Sequence, residues 1–176
     1  MTISIGTLTG TWSDDGKSIY CNELQVTASI GDTSIVADDD YFYIYKEDLG
    51  GYEVKAIDKT KAEYGAIKTG INGVDTVKLG DFMFVNNNNI VVAPMITDSI
   101  IQIGNHAFSA CEKLRSITIP NSITLIGGKV FSMSTKLNSV IYEGTIAQWD
   151  AIAKDDEWDW NCYATYVQCS DGQVAL

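Results

Sequence analysis

Ser99-Ile-Ile-Gln-Ile-Gly-Asn-His-Ala-Phe-Ser-Ala-Cys-Glu-Lys-Leu-Arg-Ser-Ile-Thr-Ile119 and Ser122-Ile-Thr-Leu-Ile-Gly-Gly-Lys-Val-Phe-Ser-Met-Ser-Thr-Lys-Leu-Asn-Ser-Val-Ile-Tyr142 carry one pattern twice, at a shift of 23 residues and without a gap. Gly104, Phe108, Leu114, Ile117 and Ile119 fall on Gly127, Phe131, Leu137, Val140 and Tyr142. Upstream, Leu79-Gly80, Phe84 and Ile90 keep the same internal spacing as a degraded third copy. Self-similarity at this period is the signature of a solenoid, whose coils bury their apolar faces only against neighbouring coils.

Each position has a physical reading. In Leu114-x-x-Ile117-x-Ile119 and Leu137-x-x-Val140-x-Tyr142 the final alternation is period two, which predicts a short strand with one face inward. Pro120 and Asn121-Ser122 bend the chain after the first strand. A second short extended stretch ends at Ile103-Gly104 and Ile126-Gly127, where glycine serves either a positive φ or a close backbone approach. From the glycine to Phe108 or Phe131 one helical turn is expected, with the rings forming a stacked core ladder.

Residues 103 to 123, Ile-Gly-Asn-His-Ala-Phe-Ser-Ala-Cys-Glu-Lys-Leu-Arg-Ser-Ile-Thr-Ile-Pro-Asn-Ser-Ile, resemble the BspA-type leucine-rich repeat of surface proteins from gut and oral bacteria, some protozoa and phages of gut bacteria. The resemblance runs from Val77 to Tyr142. Tyr142 to Ile152 and Tyr166 to Gly172 are similar to the segment that often closes such arrays. The resemblance implies binding or adhesion by a scaffold surface and brings no catalytic residues with it. Asn86 to Asn89 depart from the repeat, and no Leu-x-x-Ile-x-Ile strand follows Ile90, so the pattern leaves open whether a full coil forms there.

The expected architecture is mainly β: an antiparallel β attachment domain at 1–63, a leucine-rich-repeat solenoid at 64–144, and a C-terminal cap with one helix at 145–176. Strands stacked at about 4.8 Å make three coils only about 15 Å thick, so both ends need covering. Thr145-Ile-Ala-Gln148 matches the capping box that starts a helix, with Ile146, Trp149, Ile152 and Ala153 near one face. That helix is expected to lie over the last coil, with Trp149, Trp158 and Trp160 in the cap core.

Residues 1–63 hold no repeat. Thr2 to Leu8, Ser18 to Ala28, Tyr41 to Lys46 and Tyr52 to Ile57 read as strands, joined in part by Asp14-Asp15-Gly16-Lys17 and Glu47-Asp48-Leu49-Gly50-Gly51. In Tyr41-Phe-Tyr-Ile-Tyr45 the tyrosines share one face while Phe42 and Ile44 share the other. This fits either a central strand covered on both sides or a surface for attachment or oligomer contact made by Tyr41, Tyr43 and Tyr45.

The net charge of −11 is unevenly spread: 15 acids and 7 bases in residues 1–98, 1 and 4 in 99–142, and 7 and 1 in 143–176. Such a balance disfavours nucleic acid, whose binding needs phosphate neutralisation by lysine and arginine. The repeats are mildly basic through Lys113, Arg115, Lys129 and Lys136, which read as a solvated face or as an attractor of an anionic glycan or an acidic neighbour.

No nucleophile, acid, base or metal set converges, so no enzyme, cofactor or metal is expected. His106, the single histidine, aligns with Lys129 and is expected at the surface. Asp38-Asp-Asp40 and Asp155-Asp-Glu157 lack the spacing of a calcium loop and read as exposed turns. Cys21 and Cys111 read as small apolar fillers, and Cys162 and Cys169 as free thiols. The best candidate ligand or partner surface is the solvent face of the repeat strands: Ser116, Thr118, Ser139 and Ile141, flanked by Arg115 and Asn138.

The chain opens at Met1 without an apolar export segment and has no stretch long enough to span a membrane. The favoured expectation is therefore a non-enzymatic structural and binding protein of a phage virion, such as a head fibre, decoration or tail-associated protein made in the host cytoplasm. Its partners would be a capsid or tail protein and a host or surface glycan or protein, with a homo-oligomer compatible with that role. The alternative is a bacterial cell-surface adhesin or interaction protein whose export signal is absent from this chain.

Overall fold

The computed structural model describes residues 2–5, 8–12, 18–21, 26–29 and 35–176. β1 (Thr2–Ile5), β2 (Leu8–Trp12), β3 (Ser18–Cys21) and β4 (Val26–Ser29) pair antiparallel in sequence order as one sheet. The strand expected from Thr2 to Leu8 ends at Ile5, and the one expected from Ser18 to Ala28 is two strands, with Cys21 opposite Val26. The connection Asp14 to Lys17 lies outside the described residues.

Next come β5 (Ile35–Ala37), β6 (Tyr41–Lys46), β7 (Gly51–Ala56), β8 (Gly70–Ile71), β9 (Val74–Leu79) and β10 (Gln102–Ile103). β11 (Ser116–Ile119), β12 (Leu125–Ile126), β13 (Ser139–Tyr142), α1 (Ile146–Ala151), β14 (Ala153–Lys154), β15 (Tyr166–Cys169) and β16 (Gly172–Ala175) complete the chain. From β9 onward the chain winds as a solenoid between two sheets. One has the order β14-β12-β10-β9-β7-β6-β5, with β8 paired to β9, and the other β11-β13-β15-β16. Gln102 lies beside Leu125 and Ser116 beside Ser139, so the 23-residue shift is the step between parallel coils. The degraded copy also makes a coil: β9 pairs with β10, and Val92 bridges to Ser116 in place of a full strand.

The boundary drawn at residue 63 does not coincide with a break in the sheet. β7 pairs parallel with β9, and β6 and β5 extend the same sheet antiparallel, so residues 35–71 cover the first coil by sheet extension. The β6–β7 connection is a hairpin, with Lys46 opposite Gly51 and Gly50 at φ 62°. Asp38 and Asp40 are half-buried rather than exposed. Asp38 Oδ1 accepts from the Asp40 and Tyr41 amides, and Asp40 Oδ2 accepts from the Gly65 amide and its carboxylate pairs with Lys61.

The C-terminal segment is more than a helical cap. α1 has the expected capping box at Thr145 and Gln148. It does not end the array, however: β14 pairs parallel with β12, and β15 with β13, closing a further coil that β16 then covers antiparallel. α1 lies within the connection to this coil, which lengthens the step from 23 to 27 or 28 residues. Ala153 is accordingly an exposed strand residue and not part of a buried helix face.

The core is a stack of rings. Phe84 and Phe108 lie 5.2 Å apart between centroids, Phe108 and Phe131 5.9 Å, and Phe131 and Trp158 5.9 Å. Tyr64 caps the stack on Phe84 at 4.8 Å and continues to Tyr41 at 5.9 Å, while Trp149 closes the other end on Trp158 at 5.6 Å. Trp160, expected with the other tryptophans in the cap core, is 50% exposed.

The expected helical turn after each glycine is built from successive i→i+3 turns, such as Ala107 N–H to the Gly104 carbonyl and Ser109 N–H to that of His106. Two residues per coil have left-handed φ: Phe82, His106, Lys129 and Glu157 at the first position, and Asn86, Ala110, Met133 and Asn161 at the second. This conformation turns N–H groups toward the next coil. His106 donates to the Gly128 carbonyl and Ala110 to that of Ser132. The amides are thus shared between the local turn and the stack, as buried donors require. Left-handed backbone costs an L side chain roughly 1–2 kcal/mol. Ala110→Gly is therefore expected to raise stability by about 1 kcal/mol, read as a higher urea midpoint at unchanged slope.

Candidate binding surface

The strands β11, β13 and β15 send Ile117, Ile119, Val140, Tyr142, Val167 and Cys169 into the core, so the intervening residues face outward. Pairing aligns them in rows. Thr118, Ile141, Gln168 and Gln173 form one row across β11, β13, β15 and β16, and Ser116 lies beside Ser139 in the other. At about 4.8 Å per strand, four aligned residues span about 14 Å. Gln173 Nε2 donates to Gln168 Oε1 at 2.9 Å, and Gln168 Nε2 donates to the Gly172 carbonyl at 3.0 Å, which fixes the row's end. Ile141 is 40% exposed in the middle of this polar row. The C-terminal segment lies beside it in the sheet and leaves its outer face open.

The flanking residues gather at the corner where the chain enters these strands. Arg115 and Asn138 line a shallow cleft of about 290 Å³ together with Thr135, Lys136 and Tyr163. Asn138 and Ser139 amides both donate to the Arg115 carbonyl at 3.1 Å, locking the two coils in register. Arg115 and Lys136 are exposed, and among the described residues neither makes an ion pair. Tyr163 is 70% exposed. The sheet and the corner thus bring together all six residues expected at the ligand surface.

The tyrosine surface is a correction. Tyr41 and Tyr43 are 1% and 0% exposed, because the loop at 57–69 and the first coil cover their face. Tyr41 Oη donates to the Gly65 carbonyl at 2.9 Å, and Tyr43 Oη donates to Asp38 and accepts from the Lys68 amide. Burial drives the Tyr43 hydroxyl up to about 12. Phe42 and Ile44 are buried too, which is the covered central strand. Only Tyr45 reaches solvent, with its ring edge-on to Tyr52 at 5.5 Å.

The remaining chemistry-bearing groups serve the stack. Cys111 is fully buried, and burial pushes its thiol up to about 12, so it is protonated at neutral pH. It is more than an apolar filler, since its Sγ donates to the Phe84 carbonyl at 3.1 Å. At the matching position Ser134 Oγ donates to the Phe108 carbonyl at 2.7 Å. Cys162 and Cys169 are free thiols. The half-exposed His106 ring stacks on Phe82 at 5.0 Å. Among the described residues no group of three His, Cys, Asp or Glu side chains is placed to hold a metal ion, and no helix is long and apolar enough to cross a membrane.

Thr135, Tyr163 and Gln168 carry no surface expectation from the sequence, and Lys136 enters there only as one of the four basic residues of the repeats. The signal lay in a second shift: Phe131 to Trp158 and Val140 to Val167 are both 27 apart, which places Tyr163 one coil beyond Lys136.

Comparison with known proteins places this architecture. Residues 72–153 match the BspA type Leucine rich repeat region in six copies, reaching past the Val77 to Tyr142 span at both ends. A leucine-rich repeat protein from Bacteroides capillosus superposes with a TM-score of 0.63 at 18% identity, over 78% of this chain and 99% of that one. One from Bacteroides ovatus gives 0.56 at 20% identity, over 76% of this chain and 37% of that one. The T. pallidum leucine-rich repeat protein gives 0.51 at 20% identity, over 64% and 55%. No curated protein sequence matches the chain. At these identities the structural likenesses establish the fold, a leucine-rich-repeat solenoid, and the repeat match makes residues 72–153 similar to the BspA type Leucine rich repeat region.

Proposed function

We propose that this chain is a non-enzymatic recognition module that holds its partner on the outward face of β11, β13 and β15. The observation that carries this reading is the row Thr118, Ile141, Gln168, in which a 40% exposed isoleucine sits on a rigid sheet among small polar groups. Stacked repeats offer extended surfaces of this kind for binding. An exposed apolar residue ringed by polar ones is the ordinary anatomy of an interface centre. Ile141→Asp is expected to leave the unfolding temperature within about 2 °C, as exposed substitutions do, while reducing binding of labelled protein to cells of gut bacteria or to mucin at least about tenfold. A collapse of the fold would place Ile141 in the core, and unchanged binding would move the site elsewhere.

The finer reading is a virion component, with the array displayed and the antiparallel sheet β1–β4 as the attachment part. Its support is the two-part layout, in which a separate non-repetitive sheet precedes the array, and the division of charge between acidic flanks and mildly basic repeats. Peptides of this chain in purified phage particles, and capsid or tail genes beside its gene, are the expected results. Neighbouring genes for export and anchoring would place the module on a bacterial surface instead. A virion fibre or decoration protein is further expected to form a stable dimer or trimer by light scattering.

A further inference from the structure

The geometry points to a second, chemically defined element of this surface: the corner cleft of Arg115, Thr135, Lys136, Asn138 and Tyr163 is a subsite for a carboxylate-bearing sugar of an acidic glycan. The inference rests on the recognition-module reading and names a ligand class for it.

Three independent features converge in the cleft. The first is charge. Arg115 and Lys136 carry no ion-pair partner among the described residues, although the chain is rich in carboxylates and has a net charge of −11. In a molecule whose flanks repel anions, two unneutralised cations facing one depression make a local attractor. The planar guanidinium of Arg115 matches a carboxylate in a bidentate pair.

The second is the aromatic wall. The equivalent of Tyr163 one coil earlier is Lys136, so the repeat replaces a long cation with a flat ring that is 70% exposed and outside the aromatic stack of the core. Such a ring offers an apolar platform with a polar tip at low entropic cost. The C–H face of a pyranose is a suitable counterpart. The third is polarity and size. Asn138 supplies an amide donor and acceptor and Thr135 a hydroxyl, suited to sugar hydroxyls. A volume of about 290 Å³ lies at the small end of ligand sites, which fits a single sugar unit better than a folded partner.

The test uses the full chain on an array of oligogalacturonate, hyaluronan fragments and sialyl-lactose, each beside its methyl ester or neutral counterpart. Binding to at least one acidic member and not to its ester is expected, weakening as salt is raised from 50 to 500 mM. Arg115→Gln and Lys136→Gln should each lower affinity by about tenfold or more. Tyr163→Ala should do the same with both cations in place, which simple attraction of anions would not produce. All three residues are exposed, so unfolding temperatures are expected to stay unchanged. No binding to any acidic glycan, equal binding to the esters, or affinity unaffected by the three substitutions overturns the proposal. If cell or mucin binding then remains sensitive to Ile141→Asp alone, the recognition-module reading stands without this subsite.

Discussion

Phe108→Ala is expected to destabilise the protein by about 3–5 kcal/mol. Phe108 is fully buried, and its ring lies 5.2 Å from Phe84 and 5.9 Å from Phe131, so it belongs to two coil interfaces at once. In a solenoid each coil is held only by its neighbours, and a cavity at a shared ring weakens both contacts. Against a usual total of 5–15 kcal/mol, this loss removes a large part of the stability. Urea denaturation followed by Trp fluorescence reports it, because Trp158 continues the same stack. Phe82→Ala is the control. That ring is 48% exposed and among the described residues stacks only on His106, and its loss is expected to cost under about 1 kcal/mol. Equal effects at the two positions would mean that the ring ladder does not organise the core.

The ladder, both strand rows and the capping box were legible because each repeats a local chemical requirement. Phe at one spacing, Leu-x-x-Ile-x-Ile at the next and Thr145 with Gln148 all state their structure within a few residues. Other features depend on partners far along the chain. Alternation marks β6 as a strand but cannot say that β7 pairs with β9, nor that the loop at 57–69 folds back over Tyr41 and Tyr43 and buries them instead of leaving them exposed. The last coil was hidden by α1, whose insertion breaks the period just where Trp158 takes the place of Phe131. The left-handed positions leave no signature because Phe, His, Lys and Glu occupy the first of them. They are imposed by hydrogen bonding between coils rather than by side-chain preference. The candidate surface divides in the same way. Its strand face follows from alternation, whereas the cleft needs Tyr163 and Lys136 to meet across the lengthened step.

Gly104→Ala is expected to cost about 3 kcal/mol, for reasons of space and not of backbone conformation. Gly104 is absent from the residues with positive φ, so of the two roles open to this repeated glycine it is close approach that applies. A Cβ there would sit 2.6 Å from the Asp81 amide nitrogen and 2.8 Å from the Gly80 carbonyl carbon. Both are backbone atoms, held in place because Gly104 N–H donates to the Leu79 carbonyl and Gly80 N–H to that of Val54, each at 2.8 Å. Relief would require moving one coil from the next, and Gly127 meets Asn105 and Gly104 in the same way, so the strain cannot pass along the stack. Gly128, one residue further, provides the discriminating comparison. Its added Cβ would meet nothing closer than 3.6 Å, and Gly128→Ala is expected to change stability by no more than about 0.5 kcal/mol. A Gly104→Ala protein as stable as Gly128→Ala would show that the coils can separate at this edge, and the spacing of the whole array would then be set by its ring ladder alone.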